Sequence, residues 1–135
     1  MNENSGTPAE DTSAIRVLII ANHPGVRTDM RVILQLADEI DVVGEAASPD
    51  EAVRQCQALQ PDVALVDLEM TGPGGDGYAV IARIHALALA KGVAALTSHD
   101  YPAARNKAIH CGANAVIIKG ADFNTMLETI QTCTR

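Results

Sequence analysis

The chain has 135 residues, of which 10 are basic and 17 acidic, for a formal charge of −7. The length suits one domain with a single core, and 47% hydrophobic with 20% charged residues marks a globular rather than a disordered chain. Singly scattered Lys and Arg, no Trp, and Tyr78, Tyr101 and Phe123 as the aromatics exclude a nucleic-acid grip by phosphate neutralisation or base stacking.

Residues 1–14 are rich in Asn, Glu, Ser, Gly, Thr and Pro, with neither Lys/Arg nor an apolar block. They read as a disordered acidic tail rather than a secretory signal, ahead of one domain over 15–135. Ile15–Ala21 is the first predicted strand, its apolar run suited to burial on both faces of a parallel sheet. A helix follows from about Gly25, with Val26, Met30, Ile33, Leu34 and Ala37 on one 3.6-residue face. Val42–Ala46 is a short second strand. Ser48-Pro49-Asp50-Glu51 then reads as a helix start, with Ser as N-cap and Glu in capping-box position. Ala52, Val53, Cys56 and Leu59 form that helix's inner face, and Pro61 stops it. Val63–Leu68 is the third strand, polar only at Asp67.

The glycine-rich segment Thr71–Gly77 lacks the Lys-Ser/Thr ending of a P-loop and reads as a flexible connection. The helix after it carries Val80, Ile81 and Ile84 inward. Val93–Leu96 is the fourth strand, ending in Thr97-Ser98. Pro102 opens a helix with Ala104, Ala108 and Ile109 inward, closed by Gly112. Ala115–Ile118 is the fifth strand, ending at Lys119, and Asp122 caps a last helix buried through Phe123, Met126, Leu127 and Ile130. Five strand–helix pairs with short connections predict an α/β doubly wound parallel sheet.

No uncharged apolar run approaches the ~18 residues of a membrane span. The richest stretch, Ala79–Ala90, is broken by Arg83 and His85. Cys56, Cys111 and Cys133 cannot all pair and form no C-x-x-C motif, so reduced thiols and a cytoplasmic setting are expected. His23, His85, His99 and His110 lack metal spacing and read as solvated or loop residues, His23 alone bordering the strand ends.

Ligands of an open parallel sheet collect beyond the carboxyl ends of its strands. Those ends here are Ala21-Asn22-His23, Asp67, Thr97-Ser98 and Lys119, so a carboxylate, a hydroxyl and an ammonium converge. Each has a bland reading alone, as turn cap, strand residue or solvated end. All three in this order at strand ends make the bland readings improbable together, and mark this end of the sheet as the candidate site.

The sequence resembles the receiver (REC, CheY-like) domain of two-component response regulators, of the group that precedes a LuxR/NarL-type helix-turn-helix domain. The resemblance runs from Ile15 to about Thr132. It rests on Ile15-Arg16-Val17-Leu18-Ile19-Ile20 followed by His23-Pro24, on Val42-Val43-Gly44-Glu45-Ala46, and on Pro61 through Met70. Leu96-Thr97-Ser98-His99-Asp100 and Cys111-Gly112-Ala113 through Lys119 complete it. The resemblance implies a flavodoxin-like sheet of order 2-1-3-4-5 with five helices. It implies Asp67 as phosphoacceptor from a sensor histidine kinase, Thr97 as hydrogen-bond donor to the phosphoryl group, and Lys119 as its neutralising cation. Enzymatic chemistry then amounts at most to self-phosphorylation and autodephosphorylation at Asp67. A homodimer through the fourth helix, fifth strand and fifth helix is implied, with DNA reached only through an output domain.

Three departures accompany the resemblance. Receivers place two acidic residues where Ala21 and Asn22 stand, so a Mg²⁺ site of Asp67, Asn22 and the Glu69 backbone carbonyl is expected to be weak. Val116 stands where Tyr or Phe usually reports phosphorylation. The loop after Asp67 is two residues longer than usual, with Thr71 in the place of a proline and Pro73 as its displaced counterpart. Two alternatives follow: an atypical, phosphorylation-independent receiver binding a protein or ligand, and a flavodoxin-like enzyme or cofactor carrier. The latter lacks a glycine-rich turn after the first strand and an aromatic pair for a flavin.

Overall fold

The computed structural model describes residues 13–134, so the acidic tail expected over residues 1–14 lies almost wholly outside the described residues. Strands and helices alternate: β1 (Ile15–Ile20), α1 (Pro24–Leu34), β2 (Ile40–Ala46), α2 (Pro49–Leu59), β3 (Val63–Asp67), α3 (Gly77–Ala86), β4 (Gly92–Thr97), α4 (Pro102–Cys111), β5 (Ala115–Ile118) and α5 (Phe123–Thr132). All paired strands are parallel, in the order β2-β1-β3-β4-β5. The doubly wound sheet expected from the sequence is the one found.

Apolar runs become strands here because alternate residues feed two separate cores. Leu18, Ile20, Ala64, Val66, Val93 and Ala95 meet α2, α3 and α4 through Cys56, Ile81, Ile84 and Ala108. Val17, Ile19, Val63, Leu65, Ala94 and Leu96 meet α1 and α5 through Met30, Leu34, Met126 and Ile130. Prolines open α1, α2 and α4, where a missing N–H costs nothing. Ser48 caps α2 by accepting from the Glu51 N–H at 3.2 Å, and Glu51 reaches back to the Ala47 N–H at 2.6 Å. Asp76 and Asp122 cap α3 and α5.

Three expectations are corrected. Strand β2 starts at Ile40, not Val42: Ile40 pairs with Ile15 and Asp41 with Arg16, and a register shift follows between Val17 and Leu18. Exposed Asp41 interrupts the apolar run without interrupting the ladder, as an edge strand permits. Helix α1 begins at Pro24, one residue early, because His23 Nδ1 accepts from the Gly25 N–H at 3.0 Å and serves as N-cap. On α4, Ile109 is 46% exposed rather than inward, and Ala108 is the helix's one buried residue. A small contact residue lets α4 sit close but lightly, helped by Lys107 Nζ lying 4.3 Å from the Tyr78 ring centre on α3.

Helix α1 is also tied to β2 electrostatically. Glu45 accepts from Arg31 Nε at 2.6 Å and from Arg27 Nε at 3.1 Å. The hydrogen bond from Arg31, followed by its charge and the Arg27 contacts, outweighs burial and holds the Glu45 carboxyl below its usual pKa. A depressed folded pKa contributes stability above the unfolded-state value, which is lost as pH falls through the folded one. Glu45→Gln is therefore expected to lower the urea midpoint at pH 7 by the equivalent of less than about 1 kcal/mol, the scale of a partly exposed pair. The difference between the two proteins should shrink at pH 3.

All three cysteines are free thiols, with Cys56 and Cys133 buried and Cys111 half-buried. Burial pushes the Cys56 and Cys133 thiols up to about 11, which suppresses the reactive thiolate. A chromogenic disulfide reagent is expected to titrate one thiol per native chain, at Cys111, and all three after unfolding. Rapid modification of Cys56 in the native protein would contradict this packing.

Candidate functional site

Strands β1 and β3 are neighbours whose connections leave to opposite faces of the sheet, and that switch point opens a crevice at their carboxyl ends. Asp67 is the last residue of β3 and Thr97 the last of β4, both buried. The register pairs Asp67 with Leu96 and Thr97 with Ile118. The Lys119 N–H extends that ladder by donating to the Thr97 carbonyl at 2.8 Å. The sheet thus brings Asp67, Thr97 and Lys119 together, as the order of strand ends implied.

Lys119 Nζ lies 3.1 Å from Asp67 Oδ1 and 3.2 Å from Oδ2. It also donates to Glu69 Oε1 at 3.0 Å. The Glu69 carboxylate collects two more donors: the Ser98 N–H on Oε1 at 2.9 Å and the Thr97 hydroxyl on Oε2 at 2.8 Å. Partial burial works to raise the Glu69 pKa, but the Ser98 N–H, Lys119 and Thr97 outweigh it and hold the carboxyl below the usual glutamate range. Partial burial also opposes the Lys119 charge, yet Glu69 and Asp67 prevail and raise its pKa. Two anions and one cation share a half-dry pocket.

On the β1 side, Ala21 is fully buried and offers no side-chain ligand. Asn22 bridges two loops: its Nδ2 donates to the Ala47 carbonyl at 2.9 Å, and its Oδ1 accepts from the Thr71 N–H at 2.6 Å. A proline at position 71 has no N–H to give, so Asn22 and Thr71 act as a matched pair. Arg27 Nη1 donates to the Ala21 carbonyl at 2.7 Å and the Asn22 carbonyl at 2.9 Å, placing a guanidinium behind this end of β1. The Thr71–Gly77 segment is accordingly more than a connection. It is tied at Thr71 and again by the Gly77 N–H, which donates to the Met70 carbonyl at 3.1 Å.

Of the residues expected at the site, the structure brings Asp67, Thr97 and Lys119 together around the Glu69 side chain and places Asn22 on the β1 side, against Ala47 and Thr71. The Glu69 side chain, Arg27 and Gly77 were not singled out from the sequence. Glu69 was not legible from strand alternation, since β3 ends at Asp67 and Glu69 lies in the turn that follows. Arg27 and Arg31, one helical turn apart, offered a signal toward an acidic strand end. Gly77 offered none. Among the described residues, no three His, Cys, Asp or Glu side chains gather into a metal-holding group.

A five-stranded sheet of this order, with carboxylate, hydroxyl and ammonium at its switch point, defines the class of receiver-like signalling domains. Residues 17–131 match the response regulator receiver domain family, and the chain belongs to it. It is 34% identical over 119 residues to response regulator UvrY of Escherichia coli, covering 87% of this chain and 53% of UvrY. With response regulator GacA of Pseudomonas viridiflava it shares 31% identity over 118 residues, covering 87% and 54%. The signal receiver domain of NarL from Mycobacterium tuberculosis superposes with a TM-score of 0.81 at 31% identity, covering 90% of this chain and 97% of that domain. The chain spans about half the length of the curated relatives it matches. Receiver domains of response regulators are phosphorylated by sensor histidine kinases and generally use Mg²⁺ to do so.

Proposed function

We propose that this chain is a phosphorelay receiver whose phosphoacceptor is Asp67, with Thr97 and Lys119 as the groups that receive the phosphoryl charge. The observation that carries the reading is Lys119 Nζ within 3.2 Å of both Asp67 oxygens, with the Thr97 hydroxyl opening onto the same pocket. A carboxylate oxygen of Asp67 attacks phosphorus; a P–O bond forms as the P–N bond to the kinase histidine breaks. The leaving imidazole nitrogen keeps the electron pair and takes a proton from water. Lys119 shields Asp67 from the incoming negative charge, and the Thr97 hydroxyl positions a phosphoryl oxygen. Such transfer relies on positioning and electrostatics rather than on elaborate covalent chemistry.

Asp67, the Asn22 amide oxygen and the Glu69 backbone carbonyl form an all-oxygen donor set, the chemistry a Mg²⁺ ion accepts when water fills its remaining positions. They fit the ion weakly, because Asp67 is the one carboxylate of the set and Asn22 Oδ1 is already engaged by Thr71. When bound, Mg²⁺ offsets charge between carboxylate and phosphoryl oxygens.

The output is transcriptional, as the names of the regulators it resembles suggest, with DNA contacted by a separate helix-turn-helix domain and not by this acidic chain. No helix among the described residues is long and apolar enough to cross a membrane, which supports a cytoplasmic setting. Pairing of two copies uses α4, β5 and α5, where Tyr101 and Ile109 are exposed. Val116 packs half-buried against the core and has no ring to swing. Sedimentation is therefore expected to give the same oligomeric state with and without beryllofluoride, and a dimer induced by the mimic would contradict this coupling.

Intact-mass measurement after treatment with acetyl phosphate and Mg²⁺ tests the central reading. One phosphoryl group is expected on the parent and none on Asp67→Ala. Labelling retained in Asp67→Ala would place the phosphoacceptor elsewhere.

A further inference from the structure

We infer that the Glu69 carboxylate is an internal stand-in for the phosphoryl group, a latch that must open before the pocket takes an anion. The inference rests on the phosphorelay reading for its biological meaning, but the geometry stands on its own. Three donors open onto the pocket beside Asp67: the Thr97 hydroxyl, the Ser98 N–H and the Lys119 ammonium. All three are engaged by Glu69, at 2.8, 2.9 and 3.0 Å. The same three chemistries, a hydroxyl, a backbone amide and a mobile cation, are what the oxygens of a tetrahedral phosphoryl group require.

The latch is built by the chain rather than improvised by a free side chain. The Glu69 N–H donates to Asp67 Oδ1 at 2.9 Å, which fixes the backbone from which the carboxylate reaches across β4. Glu69 therefore joins the β3–α3 loop to the β4–α4 loop through Ser98, and holds Thr97 inward while no phosphoryl group is present. The two occupants exclude each other. A phosphoryl group carries roughly −1.5 to −2 charge. Beside Glu69 it faces a like charge that has already claimed Lys119. Phosphorylation requires Glu69 to swing toward solvent, and the Glu69 side chain is 36% exposed, so that route is open. Such a latch slows entry of phosphate and keeps the donor set ordered in the unmodified protein.

Two measurements on the intact chain test this, each with the parent, Glu69→Ala and Glu69→Asp. The first follows the Ser98 and Thr97 backbone resonances by NMR during titration with inorganic phosphate, which needs no covalent chemistry. Glu69→Ala is expected to respond at a phosphate concentration on the order of tenfold lower than the parent, the scale of losing a competing charge-assisted contact. Glu69→Asp retains the charge but is one methylene too short for the span, and is expected to follow Glu69→Ala. Equal midpoints in all three proteins would overturn the latch. So would a Glu69→Asp midpoint equal to the parent's, because long-range charge alone would then explain the effect.

The second measurement is the rate of labelling by acetyl phosphate at saturating Mg²⁺, read by intact mass. Both variants are expected to label faster than the parent by a similar factor, and slower labelling of both would overturn the latch. If no protein labels, the phosphoacceptor reading fails while the phosphate titration still decides the role of Glu69.

Discussion

Gly77→Ala is expected to lower stability by about 3 kcal/mol, the upper end of the usual cost of overpacking, and to displace the candidate phosphoacceptor. Gly77 is the buried first residue of α3. A Cβ there collides with the Asp67 carbonyl oxygen and stands 2.7 Å from Leu68 Cα and 3.1 Å from the Asp67 carbonyl carbon. These obstacles are backbone, not the yielding ends of side chains, so the strand end itself must move. The Leu68 N–H donates to the Leu96 carbonyl at 2.8 Å, and movement of β3 therefore strains its ladder with β4. Gly72→Ala is the control. Its φ of 141° strains an added side chain, but nothing lies within 4 Å of the new Cβ, so about 1 kcal/mol is expected. Urea midpoints of both variants, with acetyl phosphate labelling, check the claim. A Gly77→Ala midpoint no lower than that of Gly72→Ala would show that the close approach is not limiting.

That contact also shows where sequence reading stops. Apolar alternation and helix caps are local signals, and they located β1, β3 and β4 to within a residue or so because those strands are buried on both faces over most of their length. Edge strand β5 was legible because its short apolar run lies between polar Asn114 and Lys119. Edge strand β2 was read too short because Asp41 faces solvent without leaving the ladder. Ile109 was placed inward by its apolar character, whereas α4 touches the sheet mainly through Ala108, a residue with little hydrophobic signal. In the site, Asp67, Thr97 and Lys119 were legible because strand ends of a parallel sheet converge whatever their loops do. The partners of Glu69 and Asn22 were not legible, since they depend on how three loops meet in space. Gly77 reads in sequence as one more loop glycine; only the backbone behind Asp67 gives it a reason.

Asn22→Asp is expected to strengthen Mg²⁺ binding by about tenfold while weakening the metal-free fold. An added carboxylate about 4 Å from a divalent ion gains roughly 2 kcal/mol even at the dielectric of bulk water, or about thirtyfold. Two effects reduce that gain. Oδ1 is held by the Thr71 N–H at 2.6 Å and must share its lone pairs, and two carboxylates serving one ion repel each other when the ion is absent. The metal-free protein loses more. Asn22 Nδ2 donates to the Ala47 carbonyl at 2.9 Å, and a carboxylate oxygen in its place meets that carbonyl as one acceptor facing another. Loss of this half-buried hydrogen bond costs about 1 kcal/mol. Arg27, at the Ala21 and Asn22 carbonyls, offsets part of the repulsion, so the variant is expected to fold. Ala21→Asp is a poorer route, since its side chain is fully buried and a charge there must first push the pocket open. Thermal melts across a Mg²⁺ titration check the linkage: Asn22→Asp should start below the parent and gain more stability per decade of metal where its tighter site is filling. A Mg²⁺ response equal to the parent's would mean that the Asn22–Thr71 pair, rather than a missing charge, sets the affinity of the site, and Thr71 would become the residue to change.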